Sequence, residues 1–254
     1  MVASASALAA KRGERLFVEL ASSAQAVRES QSLRYQVFGE EMGAKLKGTP
    51  GLDIDEFDDY CQHLLVREAK TGRVVGSTRI LTDDNAARLG RFYSDGEFDL
   101  SPLDRLAGRR LEVGRTCIAA EFRQGSAIAV LWSGLAGFIR LQGFDYLFGC
   151  ASFPLGEQDI QAAAIMNRLR RQALAPAELR VTPRAPLLTT QVPDAILDAP
   201  LPALLRAYVR LGAKVCGEPC RDPDFGVADV LMLLDVDELN PAYSRHFIDR
   251  IPGG

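Results

Sequence analysis

The run Leu111-Glu-Val-Gly-Arg-Thr-Cys-Ile-Ala119, then Arg123-Gln-Gly-Ser-Ala127, then Ile128, Leu131, Trp132, Leu135, Phe138 and Ile139 decides the fold. Its first part is a β-rich apolar run and reads as a strand. The apolar residues of its last part recur at helical spacing, which predicts a helix from about Ser126. A glycine-containing turn joins the two. Outward from this unit the same signals repeat. Arg15–Leu20 reads as a short strand, and Ser22 and Gln25 stand at capping-box spacing ahead of a helix toward Phe38. His63–Glu68 and Arg73–Leu81 are β-rich runs joined by Lys70-Thr-Gly72, a hairpin signal. Asp145–Cys150 reads as a strand, Glu157–Gln172 and Leu201–Leu211 as helices, the latter stopped by Gly212, and Ala228–Val236 as a last strand. The order β-α-β-β-β-α-β-α-α-β predicts an α/β fold with a mixed sheet. Leu174–Pro202 carries Pro176, Pro183, Pro186, Pro193, Pro200 and Pro202 and reads as connection.

Composition narrows the class. The chain has 254 residues, 47% hydrophobic and 25% charged, with a formal net charge of −3. Disorder requires low hydrophobicity with high net charge, so a folded protein is expected. No global basic footprint suggests nucleic acid as a partner. At this size folding buries roughly 70–75% of the unfolded chain's surface. One domain over 1–254 is the expectation: a sheet and donor-binding core over 1–154, a helical and Pro-rich segment over 155–212, and C-terminal strands and a helix over 213–254. The five cysteines, Cys61, Cys117, Cys150, Cys216 and Cys220, lack paired spacing and fit reduced thiols. With only His63 and His246 to join them, a metal site is not expected. The first positive charge, Lys11, follows the small-residue N-terminus, the wrong order for a secretory signal. The longest apolar stretch, Ala127–Ile139, is shorter than the about 20 residues of a membrane span. A cytoplasmic protein, at most peripheral at the inner face of the cell membrane, is expected.

Arg123, Gly125, Ser126 and Ala127 form the first candidate site. Backbone N–H groups at a strand–turn–helix junction, aided by the helix dipole, can hold a phosphate, although a plain helix cap has the same look. With the hairpin and strand before it, this turn resembles the acyl-donor-binding core of the general N-acetyltransferase (GNAT) superfamily. Arg123 stands two residues before Gly125 where the superfamily has three. A second set, Arg34, Phe38, Asp55, Asp58, Arg79, Glu112 and Arg115, resembles in order and spacing the acyl-homoserine-lactone synthases, but Met42-Gly43 lies where those carry a Trp.

A resemblance over nearly the whole chain rests on Leu33-Arg-Tyr-Gln-Val-Phe38, Glu112-Val-Gly-Arg115, Leu131-Trp-Ser-Gly-Leu135, Leu201–Tyr208 through Gly212, and Asp222-Pro-Asp-Phe225. By these the chain resembles the ornithine N-acyltransferases of ornithine-lipid synthesis and their hemolysin-like relatives. The resemblance implies a GNAT-like fold with a mixed, bulged β-sheet flanked by helices, and a helical and Pro-rich insertion before the last strands. It implies transfer of a 3-hydroxyacyl chain from acyl carrier protein to the α-amine of L-ornithine. The donor is then a 4'-phosphopantetheine thioester and no cofactor is bound.

The candidate residues take roles within that chemistry, each beside a plainer one. Aminolysis needs a neutral amine, a stabilised oxyanion and a route for protons. Glu112 is the candidate base. Strict alternation puts Glu112 and Arg115 on opposite strand faces, and a bulge at Gly114 would return both to one face. They are equally an ion pair anchoring the first helix or the acidic run Asp53-Ile-Asp-Glu-Phe-Asp-Asp59. Asp55 and Asp58 are candidates to hold the acceptor's second ammonium, and Arg34, Phe38 and Arg79 to complete substrate binding, with a structural ion network as the alternative. Trp132 and Phe153 are candidates for the acyl groove, or ordinary core. Arg168, Arg170 and Arg171, near Arg180 and Arg184, form the densest basic cluster for docking an acidic carrier protein, or a solvated helix face. Neither histidine has an evident Cys partner, so no covalent acyl-enzyme is expected. Three other readings stay open: lactone synthesis, acylation of another amine, and a non-catalytic acyl-carrier or lipid-binding module.

Overall fold

The structure is a computed structural model that describes residues 16–46, 48–124, 126–187 and 199–239. In chain order its elements begin with β1 (Leu16–Leu20), α1 (Ala24–Arg34), β2 (Gln62–Glu68), β3 (Val74–Thr82), α2 (Asp83–Leu89), β4 (Phe98–Asp99) and β5 (Arg110–Ile118). There follow α3 (Ala127–Gln142), β6 (Tyr146–Pro154), α4 (Ile160–Ala173), β7 (Thr182–Pro183), α5 (Ala203–Leu211), β8 (Lys214–Val215), β9 (Cys220–Asp222) and β10 (Val227–Asp235). The described residues divide into two compact units, one of residues 16–89 and 113–143, the other of residues 90–112 and 144–239. The strand β5 contributes residues to both.

In the first unit the strands run β1-β2-β3-β5. β1 pairs antiparallel with β2 from Leu16 opposite Glu68 to Leu20 opposite Leu64. β2 pairs antiparallel with β3, with a register shift at Val66 and Arg67. Every residue of β3 is buried, Ser77, Thr78 and Arg79 included. α1 starts because Ser23 accepts the Ala26 N–H on its hydroxyl at 3.2 Å. The cap is therefore Ser23, not Ser22 of the expected capping box, since the first helical turn opens one residue later; the Gln25 amide instead donates to Glu29. Beyond Arg34 the helix widens into a π-helical stretch, Tyr35–Glu41, that carries the buried Phe38. α3 packs on β1, β2 and β3. Gly134 permits that contact: a Cβ there would stand 2.5 Å from Val18 Cγ2.

In the second unit the strands run β5-β6-β10-β8, with β9 also on β10. Leu111 lies opposite Leu147 in the parallel pair of β5 and β6, whose connection is α3, the long crossover that parallel strands require. β10 pairs antiparallel with β6 along its whole length. The residues from Ala228 to Leu234 are all buried, so this strand reads as a nearly continuous apolar run. Phe98, Leu103, Phe148, Val181, Cys216 and Leu231 build the core, and Phe92 meets Phe148 edge-on at 4.9 Å. Gly212 ends α5 at φ +109°, a conformation that favours glycine.

The ten elements read from the sequence are observed in that order in a mixed α/β arrangement, and α2, β4, β7, β8 and β9 are additional to them, β7 lying in the Pro-rich segment read as connection. Two local expectations shift. The helix read from Glu157 begins as α4 only at Ile160, because Gln158 (φ +50°) and Asp159 (φ +61°) interrupt it. The backbone departure expected in β5 at Gly114 falls on Arg115, whose φ is +51°. No helix among the described residues is long and apolar enough to cross a membrane.

Candidate active site

Two polar assemblies stand out among the described residues, one in each unit. The first surrounds Arg34, whose side chain is wholly buried at the end of α1. Its Nε donates to Asp53 Oδ2 at 2.9 Å, and Nη1 and Nη2 fork onto the two oxygens of Asp58 at 2.8 and 3.0 Å. Gln31, one helical turn earlier, donates to the same Asp58 at 3.1 Å. Arg79 on β3 donates to Asp58 at 3.1 Å and to Asp55. Arg115 donates to Asp53 at 3.2 Å and lies 3.8 Å from Asp55. Three guanidinium groups thus face three carboxylates, and the cluster is charge-balanced. A residue other than glycine at positive φ carries local strain, and the ion pairs of Arg115 hold it there.

Burial alone would raise the Asp58 carboxyl, but Arg34 and then Arg79 outweigh it and hold it well below the usual carboxylate range. For Arg79, burial works against the charge, while Asp55 and Asp58 keep it ionised. His63 stands among the same groups, 3.4 Å from the Asp58 carbonyl oxygen and 3.3 Å from the Ser30 hydroxyl. Burial lowers its pKa despite Asp58, so the ring is neutral at pH 7.

The second assembly surrounds Glu112, on β5 but in the other unit and only 3% exposed. Its carboxylate accepts the N–H groups of Tyr93 at 2.6 Å and Ser94 at 2.8 Å, and the Ser94 hydroxyl as well. The Ser94 Oγ lies 3.2 Å from the Cys150 Sγ on β6. Beyond Cys150 come Glu97, Asp222 and Asp229, whose carboxylate oxygens lie within 4.8 Å of one another. Ser152 donates to Asp229 at 2.6 Å. Burial, then the Asp229 charge, push Glu97 up to about 8, with the Cys150 hydrogen bond pulling the other way. Burial and the surrounding carboxylates raise the Cys150 thiol far above its ordinary value, so it is no thiolate nucleophile at pH 7.

Arg34, Asp55, Asp58, Arg79 and Arg115 are therefore brought together, while Glu112 keeps the separate company of Ser94 and Cys150. Arg123 donates to the Ile118 carbonyl at 3.0 Å and pairs with Glu41. Gly125 lies outside the described residues. Ser126 is exposed and makes no side-chain cap bond, and Ala127 is buried at the start of α3. Trp132 is half-buried on α3, and Phe153 is buried on β6. Arg168 donates to the Ala199 carbonyl at 3.3 Å, Arg170 pairs with Glu218, and Arg171 is exposed. Ser94, Glu97 and Asp229 escaped the sequence reading. The one signal for them was Asp229, an acid inside the apolar run of β10.

Residues 33–133 match the family model described as an acetyltransferase (GNAT) domain. The crystal structure of the AHL synthase LasI superposes over 95% of this chain and 99% of its own, with TM-score 0.54 and 14% identity. The family model thus places a GNAT domain over residues 33–133, and the superposition shows the fold. An L-ornithine N(alpha)-acyltransferase of Rhodobacter capsulatus is 38% identical over 93% of this chain and 96% of its own length. One of Rhizobium meliloti is 34% identical over 91% and 84%. This chain belongs to the L-ornithine N(alpha)-acyltransferase family.

Proposed function

We propose that this protein moves a 3-hydroxyacyl chain from the 4'-phosphopantetheine thioester of acyl carrier protein to the α-amine of L-ornithine, giving lyso-ornithine lipid. The observation that carries this reading is the end-to-end match to relatives named for N(alpha)-acylation of L-ornithine. Direct aminolysis is the mechanism the side chains support, because the Cys150 thiol of the second assembly is held protonated. Reference α-amines titrate near pH 8 and side-chain amines near about 10.4, so the α-nitrogen is the more available nucleophile at neutral pH. Glu112 takes the proton of the attacking amine, directly or through a water. Its carboxylate accepts three donors, which fixes its orientation. The N-terminus of α3 receives the phosphate of the pantetheine arm, since its N-cap Ser126 makes no side-chain cap bond there. The product is an amphiphile, and we assign its release to transient contact with the inner face of the membrane.

The test is thiol release from 3-hydroxyacyl-acyl carrier protein with a panel of amines, the products followed by mass spectrometry. Monoacylated ornithine blocked at the α-nitrogen is the expected product. Release with another amine but not with ornithine would reject the acceptor, and release from the coenzyme A thioester alone would reject the donor.

A further inference from the structure

The acyl transfer engages the α-nitrogen of the acceptor and leaves its side-chain ammonium to be placed. Asp55 and Asp58, the candidates from spacing, are met by Arg34, Arg79 and Arg115. In the second unit one carboxylate oxygen from each of Glu97, Asp222 and Asp229 lies within 4.8 Å of the other two. Glu97 Oε2 is buried and has no hydrogen-bond partner among the described residues. A buried acceptor left unpaired is costly, so it points to a donor brought from outside the chain. We propose that Glu97, Asp222 and Asp229 bind the side-chain ammonium of the acceptor and so select a diamino acid. The inference rests on the reading of ornithine and Glu112 given above.

The three carboxylates suit that cation. An ammonium carries three N–H donors, and the trio offers an oxygen to each. Asp222 Oδ1 accepts the N–H groups of Asp224 at 2.8 Å and Phe225 at 3.0 Å, and Asp229 Oδ1 accepts the Ser152 hydroxyl at 2.6 Å. These neutral donors orient the two carboxylates without cancelling their charge. Burial, then the Asp229 charge, raise Glu97 to about 8 while the three stand alone, and an ammonium among them favours its ionised form.

The place fits a molecule whose α-nitrogen meets Glu112. Glu112 is fastened to the N–H groups of Tyr93 and Ser94, and Glu97 closes the same short turn by donating its N–H to the Ser94 carbonyl at 3.0 Å. Three residues of such a 3₁₀ turn rise about 6 Å. The two nitrogens of ornithine are separated by five single bonds, roughly 6 Å when extended. The sheet agrees with the turn. Glu112 lies opposite Phe148 and Asp229 opposite Ser152, and Phe148 and Ser152 share one face of β6. A hard divalent cation also takes carboxylate oxygens, but the turn shared with Glu112 favours the ammonium of a substrate.

The experiment compares L-ornithine with L-norvaline, which has the same carbon chain and no side-chain amine, in thiol release from 3-hydroxyacyl-acyl carrier protein by the whole protein. The wild type should prefer ornithine in kcat/KM. Glu97→Gln should lower kcat/KM for ornithine by about 10–100-fold, the scale of a charge-assisted hydrogen bond, and shrink the preference toward one. The loss should fall on KM more than on kcat, as for an interaction made equally in the ground and transition states. Asp222→Asn, at the half-buried end of β9, should act in the same sense, and it decides the matter if a thermal melt shows Glu97→Gln unfolded. A wild-type preference that survives in a folded variant would overturn the clamp and leave ornithine as the acceptor. A wild-type melt that magnesium or calcium ions raise and ornithine does not would overturn it in favour of a metal. A wild type with no preference for ornithine would overturn the acceptor reading and the clamp with it.

Discussion

Replacing Arg34 by Met tests what the first assembly is for. Arg34 is wholly buried and spends its guanidinium on Asp53 at 2.9 Å and on Asp58 at 2.8 and 3.0 Å. Methionine fills much of the same volume, so the loss is chiefly electrostatic. It leaves Asp58 with Arg79 and Asp53 with Arg115, three carboxylates against two guanidinium groups in a buried place. Breaking a buried pair from one side costs about 3–5 kcal/mol, because a buried charge is left uncompensated. For a chain of this size that is a fall in Tm of roughly 6–20 °C. The effect depends on pH with a definite sign. The folded pKa of Asp58 lies below the ordinary 3.8, so its contribution is fully present above that value and is lost as pH falls through the folded pKa. Without Arg34 the depression weakens, so the gap between wild type and variant should stay level from pH 7 down to about 4 and narrow as pH falls below 3.8. Urea melts followed by the fluorescence of Trp132, the only tryptophan, report on the unit that holds the network. A loss below about 1 kcal/mol at pH 7, the scale of an exposed pair, would refute the reasoning. So would a loss that does not change with pH.

Further outcomes follow from other parts of the structure. Glu112→Gln turns its amide NH2 toward the backbone N–H of Tyr93 or Ser94, so the protein should fold with a modestly lowered thermal melt; turnover should fall by about 10²-fold, and unchanged turnover would remove Glu112 from the mechanism. Glu97 is raised from 4.5 to about 8 in the folded protein, so the unfolded chain ionises first and stability should fall as pH rises from about 4.5 through 8. Glu97→Gln should flatten that part of a Tm-against-pH curve, and a curve as steep as the wild type's would contradict the assignment. Gly134→Ala places a Cβ 2.5 Å from Val18 and should destabilise by about 1–3 kcal/mol, with Val18→Ala restoring part of the loss in a double-mutant cycle.

The first assembly also explains why sequence spacing could not settle the roles of Asp55 and Asp58. Spacing placed them near Arg34 and Arg79, but it did not announce Asp53, whose carboxylate joins Arg34 to Arg115. With Asp53 present the charges balance within the protein itself. Among the α4 arginines, Arg170 is paired with Glu218, a residue 48 positions away that helical spacing does not point to.

What the sequence by itself determined is the succession of ten of the strands and helices and the family to which they belong. These rest on local periodicity, on turn residues such as Gly212, and on motifs contained within a few residues of one another. The second assembly is a product of tertiary structure alone. Ser94 comes from a short helical turn, Glu97 from the residue after it, Glu112 from β5, Cys150 from β6 and Asp229 from β10. Each is unremarkable in its own segment, apart from the acid at Asp229. The raised pKa values of Glu97 and Cys150 arise only when β6 pairs with β10, which also sets Ser152 opposite Asp229. Burial then removes the water that would have kept these groups ordinary, and no local pattern of residues records that removal.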